Sequence, residues 1–151
     1  MKIFVLAALA ACGSSQHAQP TPTGGATTPI VWNAGNGWVT LTVDAAGVAT
    51  YNFHPTGFGA QGRTPETKHL ELTAAEVHDL EQTIVTHHAC KLHASGRLPV
   101  PEEGSQSLAL AIDGARCTVE MLANDWRVGA DATAISVALD QLAERVRTTG
   151  H

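Results

Sequence analysis

The sequence predicts an α+β domain in which an antiparallel sheet of about four strands, built from two hairpins, carries two amphipathic helices on one face. Two segments alternate apolar and polar residues on either side of turn residues, and two others repeat apolar residues at helical spacing. Along the chain these elements follow in the order ββ-α-ββ-α. Helices with a single apolar stripe bury it most simply against the same face of such a sheet.

The first hairpin is predicted from segments 39–43 and 49–53, which are separated by Asp-Ala-Ala-Gly. Gly47 suits the left-handed backbone that closes a three-residue hairpin loop. Every pair that this turn aligns on one face is apolar: Val43 with Ala49, Leu41 with Tyr51, and Val39 with Phe53. A shorter extended segment at 29–33 precedes this hairpin, and 69–72 is a further edge segment.

The second hairpin is predicted to turn at Asp113-Gly114, a dipeptide that tolerates positive φ at both central positions. Its register again gives one apolar face: Ile112 with Ala115, Leu110 with Cys117, and Leu108 with Val119. Two long connections remain, at 54–68 and 93–105. Connections of this length are uncommon in compact domains and often have a function.

Both helices carry sequence signals at their N-termini. Thr73 and Glu76 have the spacing of a capping box, in which each side chain binds the backbone N–H of the other residue. Asp131 is the expected N-cap of the second helix, which ends in arginines that suit a helix C-terminus. The apolar stripes are Val77, Leu80 and Ile84 on the first helix, and Ile135, Leu139, Leu142 and Val146 on the second.

The N-terminus has the layout of a secretory signal, with Lys2, an apolar run at 3–9 and small residues before Cys12. Leu9-Ala10-Ala11-Cys12 resembles the lipobox of bacterial lipoproteins. This resemblance implies that residues 1–11 are removed as a signal peptide and that Cys12 is acylated, as with palmitate. By resemblance to lipoprotein sorting in bacteria with two membranes, Gly13 after the cysteine permits delivery to the outer membrane or the periplasmic face, and which leaflet faces the domain stays open.

Residues 12–28 are expected to form the lipid attachment point and a flexible tether, because they are rich in Ser, Thr, Pro, Gly and Gln. Such a tether spans roughly 20 to 25 Å as a coil. Residues 29–148 then form one domain, and 149–151 form a short tail. The net charge of −5 argues against a nucleic-acid partner, since phosphate binding needs clustered cations.

Two cysteines remain beyond the lipid site, and an even pair in an exported domain indicates a disulfide. Cys117 lies on the apolar face of its strand, and Cys90 follows the first helix, which must pack over that face. A loop of this length stabilises by about 3.5 kcal/mol when it is closed. The alternative is a pair of buried free thiols.

The sequence offers no catalytic motif and assigns no cofactor or metal. Its eight histidines include no pair at i and i+4, the spacing that places two metal ligands on one helix face. Glu102 and Glu103 are expected to be a solvated pair, and Ser95 near His93 is a coincidence of sequence. Trp126 is expected to cover an open end of the core. An enzymatic role is therefore not expected, although a small envelope enzyme or a metal-handling protein remains the alternative.

The loop at 54–68 is the expected partner-binding site, with Phe58 between two glycines and Arg63 after a third. An aromatic residue and an arginine on a pliable loop are suitable anchors for a protein partner. In the alternative interpretation Phe58 folds back on the core.

The run Leu72–Leu92, the Asp113-Gly114 hairpin and the closing amphipathic helix together form a layout that is similar to emfourin-like inhibitors of thermolysin-type metalloproteases. The resemblance covers roughly residues 30–147 and implies a binding module that acts on an envelope protein or a protease. It rests on element order, so it assigns no inhibitory residue. The lipid anchor and the two cysteines depart from that layout.

Overall fold

A computed structural model describes residues 28–112 and 115–151 of the chain. It confirms the α+β class and an antiparallel sheet, but the sheet has six strands instead of about four. The elements, in chain order, are β1 Thr28–Ala34, β2 Val39–Val43, β3 Val48–Phe53, β4 Glu66–Glu71, α1 Ala74–Thr86, β5 Ser105–Ile112, β6 Ala115–Leu122 and α2 Ala130–Thr149. The strand order across the sheet is β4-β3-β2-β1-β5-β6.

The two strands beyond the predicted hairpins are β1 and β4. β1 lies between β2 and β5 and therefore joins the hairpins into one sheet. β4 pairs with β3 along its whole length, from Glu66 to Glu71, so the edge segment predicted at 69–72 begins three residues earlier. The pairing places Glu66, Lys68 and Leu70 opposite the core-facing residues of β3. Only Leu70 of these three is apolar, which explains why alternation did not reveal the strand.

Both predicted hairpin registers are confirmed. Val43 pairs with Ala49 and Val39 with Phe53 in the first, and Leu110 pairs with Cys117 in the second. Asp113 and Gly114, the predicted turn of the second hairpin, lie outside the described residues.

The core lies on one face of the sheet and centres on two tryptophans. Trp32 from β1 and Trp126, just after β6, are both fully buried and meet edge to face, with ring centroids 4.8 Å apart. The Trp32 indole N–H donates to Asp140 of α2 at 2.9 Å, and that of Trp126 donates to the Gln106 carbonyl at 3.2 Å. The predicted α2 stripe is buried against this centre: Ile135, Leu139, Leu142 and Val146.

The N-cap of α1 is the residue that the sequence predicted, and the N-cap of α2 is a different one. The capping box of α1 is present, with Glu76 accepting from the Thr73 N–H at 2.7 Å. These hydrogen bonds, together with Arg145, lower the pKa of Glu76 to about 2. The N-cap of α2 is Gly129 and not Asp131. Asp131 lies inside the first turn, where a carboxylate still favours the helix dipole and contacts His87 at 2.8 Å.

The C-terminal residues, expected to form a tail, join the edge of the sheet. His151 exchanges two backbone hydrogen bonds with His69 of β4, at 3.0 and 3.1 Å. Part of the outer edge of β4 is thereby paired. Within the described residues, neither helix combines the length and apolar character that a membrane span requires.

Cys90 and Cys117 form the predicted disulfide, with a Cα–Cα distance of 5.7 Å, so the alternative of two free thiols is wrong. Cys90 lies in a short 3-10 helix, Ala89–Lys91, directly after α1. The bond therefore fastens the end of α1 to the edge strand β6, across 27 residues of sequence.

We expect the loss of this crosslink to lower the free energy of unfolding by roughly 2 to 5 kcal/mol, because it frees a long loop in the unfolded chain. Cys90→Ala with Cys117→Ala tests this in urea unfolding at neutral pH. Reduced wild-type protein is the control and should match the variant. An oxidised and a reduced wild type of equal stability would contradict the prediction.

Candidate interaction site

Four connections leave the sheet at the same end, which we call the loop end. It comprises the β1–β2 turn at 35–38, the β3–β4 loop at 54–65, the segment before β5 at 92–104, and the β6–α2 connection at 123–129. Backbone hydrogen bonds join neighbouring members: His54 N–H to the Trp38 carbonyl at 2.8 Å, and Ala123 N–H to the Gly104 carbonyl at 3.0 Å. Gly104 also lies directly against the side chain of Asn36, which links the two pairs, so the loop end is one connected surface.

Exposed apolar side chains are concentrated at the loop end. Among the side chains that the structure describes, six large apolar ones are exposed, and four of these lie there: Phe58, Leu98, Val100 and Val128. The other two, Val85 and Val137, lie on the helices and are each 46% exposed. A cluster of exposed apolar groups on one side of a small domain is typical of an interaction site.

Phe58 is the most exposed of them, at 99%. The interpretation in which it folds back on the core is therefore wrong. Its loop runs from His54 to Pro65, shorter than predicted because Glu66, Thr67 and Lys68 belong to β4. A short 3-10 helix, Gly57–Ala60, carries Phe58 at the tip.

Trp38 holds this loop in place. The backbone of Gly59 lies so close to the indole that a Cβ there would be 2.4 Å from Cη2 of Trp38. The Arg63 guanidinium lies 5.3 Å from the centre of the same ring, and Phe53 meets the ring edge to face at 6.5 Å. Phe58 thus projects from a braced loop, where the sequence had indicated a pliable one.

Arg63 was predicted as a second anchor near Phe58. Its guanidinium lies over Trp38, and the residue is exposed. Contact between Arg63 and a partner stays a prediction. The position of Trp38, directly after the Asn36-Gly37 turn and before β2, suits a structural residue but did not indicate that it packs against this loop.

A charged cluster organises the segment before β5. Arg97 donates to Asp125 through Nε at 2.8 Å and to Glu103 through Nη1 at 2.7 Å. The side chains of Glu103 and Asp125 are only 3% and 6% exposed. We call these three residues the Arg97 clamp. The prediction of a solvated acidic pair holds for Glu102 and is wrong for Glu103.

The two carboxylates of the clamp also accept backbone hydrogen bonds. Glu103 accepts from the N–H groups of Asn124 at 2.9 Å and Val100 at 3.1 Å. Asp125 accepts from the Ser95 N–H at 3.1 Å. The bond from Arg97 is the main reason that the pKa of Glu103 falls to about 2. The pKa of Asp125 is lowered first by Ser95 and then by Arg97, so both groups are ionised at neutral pH.

Ser95, His93 and Asp125 line one cavity of about 340 Å³, but they are not arranged as a nucleophile and its base. The Ser95 hydroxyl donates to Asp125 at 3.0 Å, and His93 Nδ1 lies 3.2 Å from the Lys91 carbonyl. A carboxylate with a lowered pKa is a poor proton acceptor. Across residues 28–112 and 115–151, three or more His, Cys, Asp or Glu side chains never converge as a metal site would require.

Cys12, the expected lipid attachment site, lies outside the described residues. The sequence matches no known protein family and no curated protein. The candidate site is therefore defined by geometry alone: an exposed phenylalanine on a braced loop and, at the same end of the sheet, an apolar segment closed by an ionic cluster with two buried carboxylates.

We expect Glu103→Gln to destabilise the domain at neutral pH, because the amide keeps the shape of the side chain but loses the charge that Arg97 needs. The pKa of Glu103 in the folded protein, about 2, is below its ordinary value of 4.5. Its stabilising contribution is therefore complete above about pH 5 and is lost as the pH falls towards 2. The free energies of unfolding of wild type and variant should differ most near pH 7, and the difference should shrink towards pH 3.

Urea midpoints at pH 7, 5 and 3 measure this difference, and Glu102→Gln is the matched control, since Glu102 is an exposed neighbour. A control with the same pH-dependent loss, or a Glu103→Gln deficit that does not change with pH, would contradict the assignment.

Proposed function

We propose that the chain is an exported protein, held at a membrane by lipidated Cys12, whose domain binds another protein through the loop end. The observation that carries the binding proposal is Phe58, 99% exposed on a loop that Trp38 and Arg63 brace. The lipobox-like N-terminus supports the export proposal. A disulfide agrees with an oxidising compartment, where such bonds persist.

Bracing explains why an exposed Phe58 is suited to binding. A loop that is already ordered loses little conformational entropy when it meets a partner, so more of the burial free energy appears as affinity. Complete burial of a phenylalanine side chain contributes about 1.5 to 3 kcal/mol. In solution the same side chain contacts water over almost its whole surface, and a partner would remove that contact.

The loop end lies at the opposite end of β1 from Thr28, where the proposed tether would join the domain. Ile30, near the start of β1, pairs with Val43, which directly precedes the β2–β3 turn. β1 then runs the length of the sheet to Ala34 at the loop end. Seven residues of strand span about 23 Å. A domain tethered through residues 12–28 can therefore present Phe58 away from the membrane that anchors it.

The resemblance to emfourin-like inhibitors supplies the first class of partner to test, the thermolysin-type metalloproteases. We propose an envelope protein or a protease of this kind as the partner, with Phe58 seated in an apolar recess of its surface.

Cys12→Ala tests the anchor. We expect this variant to lose labelling by a fatty-acid analogue and to leave the membrane fraction, because the acylated thiol is absent. Cys90→Ala with Cys117→Ala, which removes the disulfide of the domain and leaves Cys12 in place, is the control and should keep both labelling and membrane association. Continued labelling of Cys12→Ala would overturn the lipoprotein proposal.

Phe58→Ala tests the binding site. We expect the melting temperature to stay nearly unchanged, since the side chain contacts little of the domain. Affinity for the partner should fall by about 1 to 4 kcal/mol, which is roughly 5- to 1000-fold. The partner is identified by photo-crosslinking in intact envelope, with thermolysin tested in parallel by inhibition of peptide cleavage.

Val137→Ala is the matched control, because Val137 is an exposed apolar residue on α2, outside the loop end. It should leave affinity unchanged. A Phe58→Ala variant that binds like wild type, or that melts much lower while binding is kept, would show that the loop is only a structural cover.

A further inference from the structure

We propose that segment 97–103 is a second apolar contact for the same partner, shaped in advance by the Arg97 clamp. This inference rests on the proposed function and names the chemistry of the partner. The partner is a folded protein with two apolar recesses, one for Phe58 and one for Leu98 and Val100. Recognition at the second recess depends on shape and apolar burial, with little contribution from charge.

The segment is a closed loop whose two ends are joined. Arg97 at its start binds Glu103 at its end, and the Arg97 Nη1 also donates to the Leu98 carbonyl at 3.3 Å. Inside the loop the Glu103 N–H donates to the Val100 carbonyl at 3.0 Å, and the Val100 N–H donates back to the Glu103 carboxylate at 3.1 Å. Asp125 fixes the closed loop to the β6–α2 connection.

The tip of this loop is apolar and stiff. Leu98 is 87% exposed and Val100 is 51% exposed. Pro99 and Pro101 alternate with them, and each proline fixes its own φ and restricts the residue before it. The segment therefore has few conformations to lose when a partner covers it.

The clamp is an unexpected way to hold a simple connection between a helix and a strand. Two carboxylates must leave water for it, and well-packed apolar residues often stabilise a protein as much as a buried ion pair does. The clamp differs from apolar packing in that it fixes geometry. The planar guanidinium of Arg97, at the start of the segment, holds Glu103 at its end in a defined orientation. We infer that the shape of the 97–103 tip is what the clamp maintains.

The charges of the clamp are directed inward, which sets the chemistry of the partner. Arg97, Glu103 and Asp125 bind one another and nearby backbone groups, so the projecting side chains at the tip are the apolar ones. The exposed charged residues nearest along the chain, Glu102 within the segment and Lys91 before it, have opposite signs. A uniformly charged partner surface therefore gains little here, and the contact should depend weakly on salt.

One partner can reach both loops. The β3–β4 loop follows β3 and segment 97–103 precedes β5, and these strands are separated in the sheet by β2 and β1. Three strand spacings amount to about 14 Å. A common protein interface buries about 800 Å² on each partner, which is wide enough to include two contacts at this distance.

A photo-crosslinking amino acid, placed singly at Phe58, Leu98 or Val137 of the full chain in cells, tests the inference. We expect positions 58 and 98 to give an adduct of the same mass and identity, and position 137 to give none. Leu98→Ala with Val100→Ala should reduce the adduct yield at position 58 several-fold. The yield of the crosslinked adduct at position 98 should change little between low salt and roughly 0.5 M NaCl, because the contact is apolar.

The outcomes separate this inference from the proposed function. An adduct at 58 with none at 98, or with a different protein at 98, overturns the second contact and leaves the Phe58 site standing. No adduct at either position overturns both. Adducts of equal yield at 58, 98 and 137 indicate random collision and also overturn both.

Arg97→Lys tests the role of the clamp, because lysine keeps the charge and loses the fork. We expect a several-fold lower adduct yield at position 98 in a protein that still unfolds cooperatively. If this variant does not fold, Glu103→Gln at neutral pH is the second variant. Unchanged yield at 98 in a folded clamp variant would overturn the claim that the clamp shapes the tip.

Discussion

The edge-to-face contact between Trp32 and Trp126 is the interaction on which the rest of the structure depends. Trp32 belongs to β1, which joins the two hairpins into one sheet, and Trp126 lies in the connection from β6 to α2. Through Asp140, Trp32 also determines where α2 crosses the sheet. Asp125 directly precedes Trp126, so burying this tryptophan also positions the carboxylate that Arg97 binds. The core and the loop end are therefore fixed by the same residues.

Much of the fold could be predicted from the sequence because its strongest signals are local. The hairpin registers, the capping box at Thr73 and the α2 stripe each depend on residues a few positions apart. β1 and β4 gave weaker signals for different reasons. β1 pairs with β5 across more than 70 residues of sequence, as Asn33 with Ser107 shows, and no local pattern encodes that partner. β4 is a polar edge strand with one apolar residue on its inner face.

The candidate site was predictable only in part. Phe58 could be predicted as a binding residue because it lies between two glycines in a long loop of a chain whose other turns are tight. Its brace did not follow from the sequence, because the contact of Gly59 and Arg63 with Trp38 is a property of folded geometry. The Arg97 clamp was missed for the same reason. Glu103 resembles its exposed neighbour Glu102 in sequence, and its burial depends on Arg97 and on the chain at Asn124.

If the chain is exported as proposed, the bond between Cys90 and Cys117 would also affect when the domain reaches its full stability. It is the one covalent link between the helix that follows β4 and the edge strand β6, and thiols stay reduced in the bacterial cytosol. A secretory chain crosses the inner membrane as an extended polypeptide, and a domain that is less stable before oxidation is easier to keep in that form. Oxidation after transport would then oppose the return to the extended state. For a chain that is exported as proposed above, the disulfide would link the stability of the fold to the compartment in which its thiols are oxidised.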